Sequence, residues 1–292
     1  MRNSLKKASV PYLFLLPAVL ITVAVIFVPA GKTVILSFYD YILFNPSESP
    51  YVGLGNFKRI FSDEIFWISL WNSLIWIVSV ITFQFLLGLG IALLINESFW
   101  WRPVARMLVV VPWALPSVII GLMFTWLYDS NVGVLNALLI KGGLIEQPVA
   151  WLAGGNTALP AVVVALIWQG FPFFAVTLLA ALQTVQEDLY EAAELDGANA
   201  FQRFWNITLP SIAPIIATTL LLRTIWVANS LDVILVMTGG GPGYTTYTLP
   251  LYAFLKAYSS MEFGYGAALS IVLTLMLMSV VVLYVRRASR EI

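Results

Sequence analysis

The sequence predicts an all-α, polytopic membrane protein with six transmembrane helices, and three observations carry that prediction. Hydrophobic residues fill 60% of the 292 positions and charged residues only 10%, far from the balance of a soluble domain. The apolar residues gather in long runs nearly free of charge, each about as long as the roughly 20 residues a helix needs to cross a bilayer. A single hydrophilic island, Thr184 to Pro210, lies between two of those runs and holds Glu187, Asp188, Glu191, Glu194 and Asp196.

The runs predict spans at about 10–38, 68–95, 106–128, 159–182, 212–237 and 263–285 within one domain covering 1–292. The first follows Lys6 and Lys7, but it is too long for the apolar core of a signal peptide and no A-x-A site follows it. Gly31-Lys32-Thr33 is not a nucleotide loop, because Ile26 stands where that motif needs glycine. In the second span Gly88 and Ala92 form a small-xxx-small pair that lets a neighbouring helix come close. Pro112 and Pro116 predict a kink or unwinding in the third, and Gly170 and Pro172 a weak point in the fourth. Thr238 to Leu251 reads as a flexible, turn-rich external segment with three consecutive glycines.

Six spans put both termini on one side. Arg2, Lys6, Lys7, Arg102, Arg106, Arg203, Arg286, Arg287 and Arg290 share that side, against Lys32, Lys58, Arg59, Lys141 and Lys256 on the other. The positive-inside rule therefore predicts cytoplasmic termini and a cytoplasmic island.

Within the island, Thr184 and Glu187 have the spacing of a capping box, so a helix is expected to start there. Glu187, Glu191 and Glu194 fall on one face of it and Leu189, Ala192 and Ala193 on the other. Gly197 is placed to stop that helix. A second short helix is expected from Ala198, with Phe201 and Trp205 on one side, until Pro210 opens the next segment. An acidic helix with a smooth, alanine-lined face suits docking into a groove of another protein; interfacial helices that lie in lipid headgroups are normally basic instead.

Glu191-Ala192-Ala193, three residues, Gly197, nine residues, Ile207, one residue and Leu209-Pro210 resemble the EAA loop of ABC importer permeases. TGGGP at Thr238 to Pro242, in the family's order, resembles the stretch after span five in the carbohydrate-uptake, maltose-type branch. The resemblance implies an inner-membrane permease subunit of a prokaryote that translocates a sugar delivered by an external solute-binding protein. It implies a second homologous permease subunit and two ATPase subunits as partners, with ATP and Mg2+ held there and no cofactor in this chain. It also implies that Glu191, Ala192, Ala193, Gly197, Phe201, Trp205, Leu209 and Pro210 couple the permease to the ATPase.

Charged groups within a membrane are costly and point to function, and span five holds two, Arg223 and Asp232. On a straight helix Arg223, Trp226 and Ser230 share a face bordered by Asn229, whereas Asp232 falls nearly opposite, toward an outer end where loop amides can hold it. An aromatic plate beside amide and hydroxyl groups suits a polyhydroxylated ligand, and Trp168 and Gln169 repeat that chemistry in span four. Asn229, Ser230 and Gln169 read equally as ligand contacts or as hydrogen bonds between helices.

The same composition limits other functions. No Cys and no His exclude a zinc site, a thiol nucleophile and a Ser-His-Asp triad, and zero net charge gives no electrostatic basis for binding nucleic acid. An intramembrane enzyme has no catalytic constellation here, and an ion-coupled secondary transporter has only Asp232 as a carrier. A polyol or a sugar phosphate remains open as cargo, the latter because of Arg223.

Overall fold

The computed structural model describes residues 14–44 and 48–288, so Arg2, Lys6, Lys7 and Arg290 of the charge argument, and the start of span one, lie outside the described residues. Among the described residues the chain is helical throughout. Its only extended pairings are two isolated antiparallel bridges, Tyr39 with Tyr51 and Ile42 with Glu262. Five helices are long and apolar enough to cross a membrane, six if one sharply bent pair counts as a single span. The chain divides into two compact units, residues 1–64 with 252–278 and residues 65–251 with 279–292.

The first unit contains α1 (Phe14–Leu36) and α2 (Gly55–Ser62). It also holds most of α12 (Leu249–Tyr258) and the first part of α13 (Phe263–Ala288). None of the central window of α1 is buried within the chain, as its uniformly apolar composition allows in lipid. A polar cluster organises the rest. Arg59 Nη1 lies 2.6 Å from Glu262 Oε2 and Lys256 Nζ 3.3 Å from Glu262 Oε1. The Tyr265 hydroxyl donates to Asp63 Oδ2 at 2.6 Å, and the Tyr252 hydroxyl donates to the same oxygen. Burial pushes the Glu262 carboxyl up, but its bonds to Arg59 and Lys256 outweigh that and hold it below its ordinary value.

The second unit is built around α7 (Ala158–Leu182), the most enclosed span, with 61% of its apolar window buried. The broken pair α4 (Arg102–Ala114) and α5 (Ser117–Leu127) packs against it, as do α10 (Leu209–Asn229) and α11 (Asp232–Met237). The 33-residue α3 (Glu64–Asn96) runs roughly 50 Å at 1.5 Å per residue. α3 reaches α7 at Gly88, where a Cβ atom would stand 2.4 Å from Phe174 Cβ and 3.0 Å from the Ala175 nitrogen. Gly88 and Ala92 are both buried, so the small-xxx-small reading holds.

One expectation about helix breaks holds, at span three, and one is corrected, at span four. α4 and α5 meet at Leu115 and Pro116 with a 94° bend; Pro112 lies within α4, and only Pro116 marks the break. Span four shows no break. α7 continues through both Gly170 and Pro172, which lie on its buried side, and Gly170 has a steric purpose described below. Span five is interrupted where no proline or glycine stands, at Ser230 and Leu231 between α10 and α11.

The segment after span five is also more ordered than expected. Thr246 and Thr248 are buried, Thr238 and Thr246 share a hydrogen bond of 2.8 Å, and Ser73 of α3 accepts the Leu249 amide at 2.8 Å. The Thr238–Thr246 hydrogen bond and the buried Leu249 and Leu251 together fold this segment. The chain then enters α12, a helix absent from the sequence reading, as are α2 and α6 (Val134–Lys141).

Introducing Gly88→Val should lower the thermal unfolding midpoint of the purified protein, because overpacking of this kind typically costs about 1–3 kcal/mol. Gly90→Val, where nothing lies within 4 Å of the added carbon, should leave the midpoint within a degree or two of the original.

Candidate functional site: a cavity at two helix breaks and an acidic elbow

A broken helix in an apolar medium exposes carbonyl and amide groups that need partners. At Ser230 and Leu231 the last carbonyls of α10 lose their regular donors. The buried Trp76 indole, reaching from α3, donates to the Val227 carbonyl at 3.1 Å, and the Ser230 amide donates to the same carbonyl at 3.2 Å. The Asn229 amide group donates to Ile225 O at 2.8 Å. At the other break Gln169 Nε2 of α7 donates to Ser117 Oγ, in the first turn of α5, at 3.1 Å. α5 and α11 pack closely because Gly121 has no side chain; a Cβ there would meet Val236 Cγ1 at 2.8 Å.

A cavity of about 530 Å³ opens beside these breaks, lined by Trp113, Leu115, Pro116 and Ser117 from one pair and by Arg223, Trp226, Asn229, Ser230 and Asp232 from the other, with Gln169 from α7. Its aromatic side is continuous, since the Phe173 ring lies 5.7 Å from Trp113 and 5.1 Å from Trp226. Aromatic faces beside amides and hydroxyls are the chemistry of a pocket for a polar, ring-shaped solute.

The cavity gathers six of the seven residues expected to touch cargo: Gln169, Arg223, Trp226, Asn229, Ser230 and Asp232. Trp168 does not line it and packs instead on Phe124, with ring centroids 5.8 Å apart. A straight helix would set Asp232 opposite Arg223. The break at Ser230 and Leu231 resets the helical phase, so Asp232 begins a new helix and lines the same space. Sequence reasoning misses Trp113 and Ser117, whose position follows only from the bend, and Gln84, which sits behind Arg223.

The island folds into an exposed elbow. α8 (Glu187–Leu195) is capped by Gln186, with no side-chain cap. The expected capping box at Thr184 is absent because the Thr184 hydroxyl donates back to Ala181 O at 2.7 Å. Gly197 does end the helix, at φ 77°. The Ala198 amide returns to Ala193 O at 2.9 Å and the Gly197 amide to Glu194 O at 3.0 Å, the paired bonds of a Schellman stop. A true capping box starts α9 (Ala200–Arg203), with Asn199 and Gln202 exchanging bonds of 2.9 Å. Pro210 opens no new segment: a π-helical turn, Phe204–Thr208, carries α9 without interruption into α10.

Two contacts fix the elbow's angle. The Tyr190 and Thr208 hydroxyls are 2.8 Å apart, and Arg203 forms an ion pair with Glu194. Phe201 and Trp205 lie with centroids 6.0 Å apart. Leu195 is 90% exposed, Phe201 71% and Trp205 51%, so the elbow presents apolar groups among its carboxylates.

A family model for "binding-protein-dependent transport system inner membrane component" matches residues 84–290, which include both the cavity and the elbow. The chain belongs to that family. It is an ABC importer permease subunit of the inner membrane, a transport channel rather than an enzyme, and ATP hydrolysis belongs to a separate subunit. It is 36% identical to a sulfoquinovosyl glycerol transport system permease of Agrobacterium fabrum, over 94% of this chain and 88% of that one. It is 36% identical to a trehalose/maltose transport system permease of Thermococcus litoralis, over 96% and 94%. In fold it is similar to a chain of a bacterial alginate ABC transporter solved with an alginate pentasaccharide-bound periplasmic protein. The TM-score is 0.87 at 23% identity, covering 99% of this permease and 97% of that chain.

Replacing Trp76 by Phe keeps the buried ring and removes its donor. This permease should then lose roughly 0.5–1.5 kcal/mol, the typical net worth of one hydrogen bond, because the Val227 carbonyl keeps the Ser230 amide; the loss is read as a lower unfolding midpoint in detergent.

Proposed function

We propose that this permease carries a sugar through the cavity between the two helix breaks. The observation that carries the reading is the lining itself: Trp113 and Trp226 offer ring faces while Gln169, Asn229, Ser230 and Arg223 offer hydrogen bonds to hydroxyls. The cargo named for the sulfoquinovosyl glycerol and trehalose/maltose relatives supports that choice. Trp168 acts indirectly in this reading, by holding Phe124.

The partners follow from the class. The permease pairs with a second, homologous permease subunit, and an external solute-binding protein delivers the sugar. Two ATPase subunits hold ATP and Mg2+ and grip the elbow on the cytoplasmic side of a prokaryotic inner membrane, with both termini on that side. The basic residues of the corresponding loops support this orientation. The full chain works as one permease domain in this scheme.

Coupling runs through the elbow. The ATPase takes hold of Glu191, Ala192 and Ala193 on α8 and of Phe201 and Trp205 just beyond, with Gly197 as the bend between them. Leu209 and Pro210 lie at the start of α10, so a displacement of the elbow travels along an unbroken helix to Ser230, beside the cavity. Access to the cavity then alternates with the state of the ATPase.

In proteoliposomes with the complete transporter, Glu191→Lys combined with Gly197→Pro should reduce both uptake and transport-linked ATP hydrolysis by at least about tenfold, several times the loss of one surface contact. Unchanged rates would remove the elbow from the coupling route. Separately, Trp226→Ala and Asn229→Ala should each raise the KM for the transported sugar about tenfold, the loss expected for one good contact, while the ATPase still co-purifies. Wild-type kinetics in both would place the cargo path elsewhere.

A further inference from the structure

Gln84 is the one fully buried amide of α3, and both ends of its side chain are committed. Its Nε2 donates to the Leu166 carbonyl of α7 at 2.6 Å, and its Oε1 accepts from Arg223 Nε of α10 at 2.7 Å. Because the amine end is fixed by the carbonyl, the oxygen end faces the guanidinium. Gly170 completes the socket. A Cβ at that position would stand 1.9 Å from Arg223 Nη2 and 2.1 Å from Gln84 Nε2, so only glycine leaves room for the two side chains to cross α7.

The guanidinium lines the cavity although Arg223 is 8% exposed. Among the described residues no carboxylate lies within 4.0 Å of it and no protein acceptor takes its Nη hydrogens. Phe173 supplies only a distant ring face, 5.9 Å away. A buried cation whose Nε is occupied by Gln84 and whose terminal hydrogens are unused is a fork prepared for a partner with two oxygens.

We infer that Gln84 is a positioning residue for cargo: it orients Arg223 so that the terminal guanidinium nitrogens bind paired oxygen acceptors of the transported sugar. The inference rests on the reading of the cavity as the cargo path. Those oxygens belong either to vicinal hydroxyls or to an anionic substituent, since both present the fork with two acceptors at matching spacing.

The test is uptake of radiolabelled trehalose, maltose and digalacturonate by membrane vesicles holding the complete transporter, with apparent KM and Vmax measured per assembled complex. For the probe carried, Gln84→Leu should raise KM about tenfold with less than a twofold fall in Vmax, the size expected for losing a hydrogen bond to a charged group. Gln84→Asn keeps the amide but shortens its reach; it should still raise KM about threefold or more, and it decides the matter if Gln84→Leu does not assemble. Gln84→Glu separates the two sources of oxygen. A diol should bind within about threefold of the original KM, whereas an anionic group, competing with the new carboxylate for Arg223, should lose more than about tenfold. The inference is overturned if the Leu and Asn variants lower assembly or Vmax with KM unchanged, or if none of the three probes is carried. Trp226→Ala tells the two failures apart: a raised KM there beside unchanged KM in the Gln84 variants sinks only the role of Gln84, while wild-type KM in all of them sinks the reading of the cavity.

Discussion

Backbone hydrogen bonding inside an apolar medium governs this permease more than any single side chain does. A helix can stop at membrane depth only where the freed carbonyls and amides find other partners. The interruption after α10 obeys that constraint, since the Val227 carbonyl accepts from the Trp76 indole and the Ser230 amide. At the start of α5 Gln169 holds the Ser117 hydroxyl, and the polarity at both places borders the cavity. The cavity and the breaks are thus one feature, since each makes the other tolerable.

The same constraint explains what the sequence makes legible. Long apolar runs report the spans directly, because a span has to hide its backbone in an α-helix and cover it with apolar side chains. The island is equally plain, since five carboxylates in so short a stretch can only lie outside the hydrocarbon. Gly197 and the Gly88–Ala92 pair are readable because a positive φ and a close helix contact each leave a residue-level signature.

What the sequence conceals depends on partners distant along the chain. Ser230 and Leu231 carry no helix-breaking residue, and the interruption there is sustained by Trp76, which reaches a carbonyl 151 positions further along. Conversely, Gly170 and Pro172 look like breakers, yet α7 absorbs them on its buried side, where neighbouring helices pack. The phase of Asp232 escapes the sequence for the same reason: a periodicity argument holds only while the helix continues. At the elbow, Thr184 has the right spacing for a cap, but its hydroxyl finds a closer acceptor in the helix behind it.

Gly170 has a consequence beyond the cavity. Since its missing side chain is the space occupied by Gln84 and Arg223, three positions on three helices form a single heritable unit. Drift at any one of them is closed unless the others change with it, so related permeases with a larger residue at the glycine's place are expected to carry shorter side chains at both others.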